Sequence, residues 1–328
     1  MAKIVDVARR AGVSVGSVSR VINDHPTVSP ATRERVEIAV RELGYVPNAI
    51  AGSLRSRRSK TIGLIIPDVT NPFFSELALH VERSAAAAGY NVILGNSDNS
   101  AERQKHYLRA LAVRRVDGII LAPARGIDPS FEFEIPLVGV DREVAGRQFV
   151  ASDNRAGAKS AVEYLHQLGH HLIACVAGPK DLPNAQERRV GYEDVAGPIL
   201  RAAGVDPSDY VVSADFSYDS GYAAIRRLMD VKPRPTAILA SSDQQAIGGL
   251  RAAADLGLAV PGDLSIVGFD DIPLAKLVMP RLTTVRQPVA KIGVLAMQLL
   301  LDLLSGATPP SVGAASIGRI QTASLQPA

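Results

Sequence analysis

The feature that most constrains the fold is a series of short apolar runs beyond residue 60. Residues 62–66, 91–94, 118–121, 137–140, 172–176, 237–239 and 265–268 each read as a strand rich in Ile, Leu, Val and Ala. Helical patterns lie between most of them, for example over 76–88, 156–168 and 244–256. Nearly continuous apolar strands alternating with helices imply parallel sheets covered on both faces. There are too many such units for one small sheet, so two lobes are expected. A ligand then belongs where the C-terminal ends of the strands face each other across a cleft. The expected class is α/β.

Residues 3–23 carry a different period. Val5, Ala8, Val18, Val21 and Ile22 are spaced to give each of two short helices one buried stripe. Gly12 falls where the first helix must stop, since glycine takes positive φ at little cost. Ser14 then suits the N-cap of the second helix. Helix, tight glycine turn, helix is the layout of a helix-turn-helix DNA reader. A third helix is expected from about Pro30 to Leu43, with Ser29 as N-cap and Val36, Ala39, Val40 and Leu43 as its stripe. The predicted organisation is a helix-turn-helix headpiece over 1–47, a hinge over 48–60 and a two-lobed core over 61–328.

Charge follows this division. Residues 1–60 carry eleven Lys/Arg and five Asp/Glu, whereas the rest carry 25 and 28. The positive excess is confined to the segment with the helix-turn-helix pattern, where it suits DNA phosphates. A composition 47% hydrophobic and 21% charged is that of a soluble globular protein. No run approaches the roughly 18 apolar residues of a membrane helix, and the N-terminus lacks an apolar signal region. The lone cysteine, Cys175, sits in a strand-like run and reads as a buried small hydrophobe. A cytoplasmic protein without a membrane partner is expected.

Asp6-Val7-Ala8, Ala11-Gly12-Val13-Ser14 and Val18-Ser19-Arg20-Val21-Ile22-Asn23 resemble the N-terminal signature of the lac repressor family of bacterial transcription regulators. The similarity continues to about residue 325. It implies that Ser14, Val15, Gly16, Ser17, Arg20 and Asn23 meet operator DNA, with Gly16 standing where a polar side chain is commoner. The segment 48–59, NAIAGSLRSRRS, resembles the family hinge. By that resemblance Leu54 is the apolar wedge that opens a minor-groove base step, while Arg55, Arg57 and Arg58 hold phosphates. The core would be like a periplasmic sugar-binding protein, the chain crossing between lobes near 158, 287 and 318.

Candidate effector contacts cluster at strand ends. Asn71 follows the first strand, Asp141 and Arg142 follow the fourth, and Asp153, Asp243 and Asp270 end later ones. Asp243 has the alternative reading of a helix cap. The resemblance implies that Phe73 and Phe74 lie over the ligand, Arg188 clamps it and Phe216 stacks on it. An arginine fork with carboxylates and an aromatic plane suits a polar ring. A small sugar is the expected effector; a purine is the alternative, because Phe73 and Phe216 could stack a base. Two half-sites of a palindrome need two headpieces, so a homodimer is expected. The apolar helix 289–304 can serve core and interface together.

Gly12-Val13-Ser14-Val15-Gly16 matches the G-x-S-x-G nucleophile elbow, but the elbow needs a strand before it and a sheet beneath it. Here a helix precedes it, so the match is a coincidence. No phosphate-binding loop, H-E-x-x-H or C-x-x-C occurs, and no catalytic residue, metal or cofactor is expected. A solute receptor without DNA activity would not need the basic headpiece, and a sugar-processing enzyme would need a catalytic pair that the sequence lacks. The expectation is a dimeric, ligand-controlled transcription regulator, a repressor.

Overall fold

A computed structural model describes residues 2–22, 24–45, 58–126, 134–306, 319–320 and 325–326. The chain divides into two compact units, Met1–Ser59 and Lys60–Ala328. Asn23, Leu54, Arg55 and Arg57, most of the expected hinge and the expected crossing near 318 lie outside the described residues.

The first unit is built from α1 (Ile4–Ala11), α2 (Val15–Ile22) and α3 (Pro30–Glu42). Gly12 ends α1 at φ 65°, its N–H turned back to the carbonyls of Ala8 and Arg9. The Ser14 hydroxyl accepts from the Ser17 N–H at 3.1 Å and starts α2. The Ser29 hydroxyl accepts from the Thr32 N–H at 3.3 Å and starts α3. Val7, Val18 and Val36, one from each helix, are fully buried, with Ala8, Ala11, Val21 and Ala39 around them. Burial of each valine contributes about 1.5–3 kcal/mol. Val5 does not belong to this core and is 49% exposed. The inward face of α1 centres on Val7, Ala8 and Ala11, and Val5 lies about 200° around the helix from Val7.

The second unit holds two sheets. The first contains β1 (Thr61–Ile66), β2 (Asn91–Asn96), β3 (Gly118–Leu121), β4 (Leu137–Val140), β5 (Gln148–Ser152) and the short β11 (Arg319–Ile320), in the order β11-β5-β4-β3-β1-β2. All its pairs are parallel. Alternate residues of β1 feed two cores: Ile62, Leu64 and Ile66 pack with α4 (Pro72–Ala87), and Ile65 packs with Leu108 and Leu111 of α5 (Ala101–Val113). Burial on both faces is why this strand carries no polar residue after Thr61.

The second sheet contains β6 (Ile173–Ala177), β7 (Val211–Ser213), β8 (Ala237–Ala240), β9 (Ser265–Asp270), β10 (Thr283–Arg286) and β12 (Leu325–Gln326), ordered β12-β10-β9-β8-β6-β7. Five strands are parallel and β12 runs antiparallel to β10. Its helices are α6 (Asn154–Gln167), α7 (Pro183–Ala202), α8 (Tyr218–Leu228) and α9 (Asp243–Asp255). The next helix, α10 (Val289–Ser305), returns to the first lobe and packs on α4. The chain therefore passes between lobes at Asp153 and at residues 287–288, and the short β11 and β12 belong to different sheets. The first passage comes ahead of position 158 because Asp153 already caps α6, accepting from the Ala156 N–H at 3.0 Å. Cys175 is fully buried in β6, and burial pushes its thiol up to about 12, so it is no nucleophile at neutral pH.

Candidate functional site

On the headpiece, the start of α2 presents a small mixed surface. Val15 and Gly16 are exposed, Ser17 is half-buried, and the Ser14 and Ser17 hydroxyls lie 3.0 Å apart. Arg20, one turn on, is exposed, and its guanidinium makes no ion pair among the described residues. Other headpiece arginines are engaged: Arg10 with Glu42 at 2.6 Å and Arg33 with Asp24 at 2.6 Å. A free guanidinium can donate bidentately to a guanine edge, and valine methyls can pack on a thymine methyl. Gly16 offers no side chain, so base reading at this helix end rests on its neighbours.

In the core, the strand ends converge. Asn71, Phe73, Phe74, Asp141, Arg142, Arg188, Phe216 and Asp270 line one cavity between the two lobes, joined by Asn184, Ser242 and Gln287. Each is placed by a helix start or a strand end. Asn71 caps α4, accepting from the Phe73 N–H at 3.0 Å, and the Phe73 and Phe74 rings meet edge-on at 5.0 Å. Asp141 and Asp270 end β4 and β9 with φ at 65° and 125°. Such backbone strain is found where a site over-determines its ligand-holding groups.

The charges in the cleft are tied together. Arg188 donates from Nε to Asn154 Oδ1 at 2.9 Å and from Nη1 to the Ser241 carbonyl at 2.5 Å and to Asp270 Oδ1 at 3.4 Å. Its guanidinium lies 3.9 Å from the Phe269 ring centre and 5.7 Å from that of Phe216. Gln287 Nε2 donates to Asp270 at 2.8 Å. Burial pushes the Asp270 carboxyl up to about 6, with Arg188 and Gln287 pulling against it. Across the gap, Asn184 Nδ2 donates to Asp141 Oδ2 at 3.0 Å, and Arg125 bonds Asp215 at 2.5 Å. Both contacts join one lobe to the other. Burial lowers Arg142 from the usual arginine value while Asp141 opposes it, and Arg142 Nε makes no hydrogen bond among the described residues.

The space left between these side chains is about 20 Å³, room for about one water. That space is smaller than a sugar ring, and side chains from both lobes meet across it, Asn184 with Asp141 and Arg125 with Asp215. What the lobes offer a ligand are carboxylates, guanidiniums and amides beside aromatic faces. Hydroxyl groups, which both donate and accept, match that set.

Two of the singled-out carboxylates stand elsewhere. Asp153 caps α6 and does not line the cavity. Asp243 is fully buried, accepting from the Ile272 N–H at 2.8 Å and from the Thr284 hydroxyl at 2.5 Å. Burial, then the nearby Asp270 charge, raises its carboxyl well above the usual range. The cap of α9 is Ser242 instead.

Residues 3–48 match the bacterial regulatory proteins of the lacI family, and residues 162–316 match the periplasmic binding protein-like domain. The ribose operon repressor of Halalkalibacterium halodurans is 42% identical over 305 residues, covering 92% of this chain and 90% of that protein. This chain belongs to the LacI family. Two solved structures of similar proteins each cover 94% of both chains: the transcriptional regulator CelR–cellobiose complex, 35% identical with a TM-score of 0.69, and the lac repressor dimer bound to operator and the anti-inducer ONPF, 30% identical with a TM-score of 0.82.

In this LacI-family chain, Asn184, Ser242 and Gln287 in the cavity wall are not among the residues expected from the sequence, and behind the wall it is Asn154, next to the expected Asp153, that meets Arg188. Gln287 follows β10, whose TTVR carries little apolar signal. Ser242 adjoins Asp243 at the same strand end, and that adjacency is its one signal in the sequence. Asn154 and Asn184 sit in first helical turns, where an asparagine ordinarily reads as a cap.

Proposed function

We propose that this chain is a sequence-specific transcriptional repressor, acting as a cytoplasmic homodimer and governed by a small sugar held between the two lobes. It binds that ligand without turning it over. The observation that carries the reading is the convergence of Asp141, Arg142, Arg188 and Asp270 with Phe73, Phe74 and Phe216 on one cavity. Ser14, Val15, Gly16, Ser17 and Arg20 contact the operator major groove, together with Asn23. Leu54 enters the minor groove, and Arg55 and Arg57 hold phosphates. The names of similar proteins support the reading: one is a ribose operon repressor, another is held with cellobiose and a third with operator. Exposed apolar side chains on the core, among them Leu277 at 76% and Met279 at 96%, favour cover by a second copy. No helix among the described residues is long and apolar enough to cross a membrane.

A thermal-shift screen of the full-length chain with pentoses, hexoses, disaccharides and nucleobases tests the cleft. A sugar that raises the melting temperature, and loses that effect in Arg142→Gln, supports the reading. A response to nucleobases alone selects the purine alternative. A sugar effect that survives in Arg142→Gln and Phe216→Ala rejects the assigned site.

A further inference from the structure

A second cavity, of about 560 Å³, opens on the edge of the second sheet beside β7. Its size falls within the roughly 300–1,000 Å³ of small-molecule sites. One wall is a single ridge of α7, where Arg189, Glu193, Gly197 and Arg201 recur at every fourth residue and so share one helix face. The floor is β7, an edge strand paired only with β6. Lys180 enters from the turn before α7, and Arg227 closes the opposite side from the last turn of α8.

The charge here runs against that of its surroundings. From residue 61 onward acids outnumber Lys and Arg, 28 to 25, yet this cavity is lined by Lys180, Arg189, Arg201 and Arg227 against the one carboxylate of Glu193. Glu193 is taken by Arg189, Nε to Oε1 at 2.7 Å. Lys180, Arg201 and Arg227 make no ion pair among the described residues. Gly197 adds a geometric reason for their placement. A Cβ there would stand 3.3 Å from Arg201 Nη2, so the guanidinium lies back along the helix over the bare glycine. A mid-helix glycine costs about 1 kcal/mol relative to alanine; here it seats the Arg201 head group against the cavity. Ser208, Ser213, Tyr192 and Pro207 complete the lining.

We propose that this cavity binds a small phosphate-bearing anion, at a site separate from the cleft between the lobes. Phosphate oxygens match planar guanidinium forks and a flexible ammonium, and they supply the charge that three uncompensated cations lack. A neutral sugar would leave those cations unanswered. A peptide added to the sheet edge would find only the three residues of β7 to pair with.

The test is calorimetric titration of the full-length chain with inorganic pyrophosphate at fixed ionic strength. Saturable binding, one per chain, is expected. Arg201→Gln and Arg227→Gln should each weaken it about tenfold, the loss of one charge-assisted contact. Arg109→Gln, an exposed arginine on α5 outside the cavity, should leave it unchanged. Absence of saturable binding overturns the proposal, as does binding that survives in both cavity variants. Loss with Arg57→Gln or Arg142→Gln in their place would put the anion on the hinge or in the cleft, and would equally overturn it.

Discussion

Replacing Arg188 with alanine should destabilise the core by about 3 kcal/mol and abolish sugar binding. The guanidinium is almost wholly buried and serves three acceptors: Asn154 Oδ1, the Ser241 carbonyl and Asp270. Removing one partner of a buried ion pair costs about 3–5 kcal/mol, because the other charge is left uncompensated. Asp270 moderates that figure. Its carboxyl is already pushed up to about 6 by burial, and without Arg188 it rises further and takes a proton. The lower end of the range therefore applies near neutrality. The same linkage sets a pH signature. A buried acid with a raised value favours the folded state only while protonated, so stability falls as pH rises from the unfolded value towards the folded one. In the parent chain that fall ends near 6; in the variant it continues to higher pH. The gap between the two proteins should widen from about pH 6 to about pH 8. Urea unfolding of the full-length chains across this range, with calorimetric sugar titration alongside, measures both effects. A loss below about 1 kcal/mol, or a gap that stays constant with pH, would refute this account of Arg188 and Asp270.

Four further outcomes are expected, three from the core and one from the headpiece. Asp243→Asn should be tolerated within about 1 kcal/mol, because the buried carboxyl is held towards its neutral form. Asp243→Ala should cost about 1–3 kcal/mol by leaving the Ile272 N–H and the Thr284 hydroxyl without their acceptor; equal losses in the two would contradict the raised carboxyl. Sugar affinity should rise as pH climbs through about 6 and level off above it, since the ionised Asp270 is the better acceptor for hydroxyls; calorimetry showing the opposite slope would remove Asp270 from the site. Arg20→Ala should weaken binding to a selected operator by about 1–3 kcal/mol and relax preference at one base pair, read by anisotropy on a panel of single-base variants; equal loss on all duplexes would make Arg20 a phosphate contact.

The fold was largely legible in the sequence wherever burial is two-sided. All seven apolar runs named from the sequence are strands; six are buried along their length, as a parallel strand covered on both faces must be apolar, whereas the edge strand β2 leaves Ile93 and Leu94 exposed. The strands that escaped are those with less to bury. β7 is a three-residue edge, and β10 keeps Thr284 inward only because Asp243 answers its hydroxyl. The same long-range pairing hid the position of Asp243. Nothing near residue 243 signals partners at 272 and 284, so its carboxylate looked like any other at a strand end. Val5 departs from the expected stripe for the opposite reason. In a helix of eight residues several stripes fit the apolar positions, and contacts with α2 and α3 choose among them. Asn184 and Arg125 make contacts that exist only once two lobes face each other. Helix starts fared better, because Ser14 and Ser29 act within three residues of themselves.

The central claim is that a ligand between the lobes governs DNA binding by the headpiece. It is tested most directly by the dissociation constant of the full-length chain for an operator selected from random duplexes, measured with and without the sugar found by thermal shift. The account predicts a palindromic selected site and a constant that changes by about 5- to 150-fold at saturating sugar, with sugar affinity changing by the same factor when operator is bound. In Arg142→Gln the operator constant should match that of the ligand-free parent and no longer respond to sugar. Identical operator affinity with and without saturating sugar in the parent chain would contradict the account.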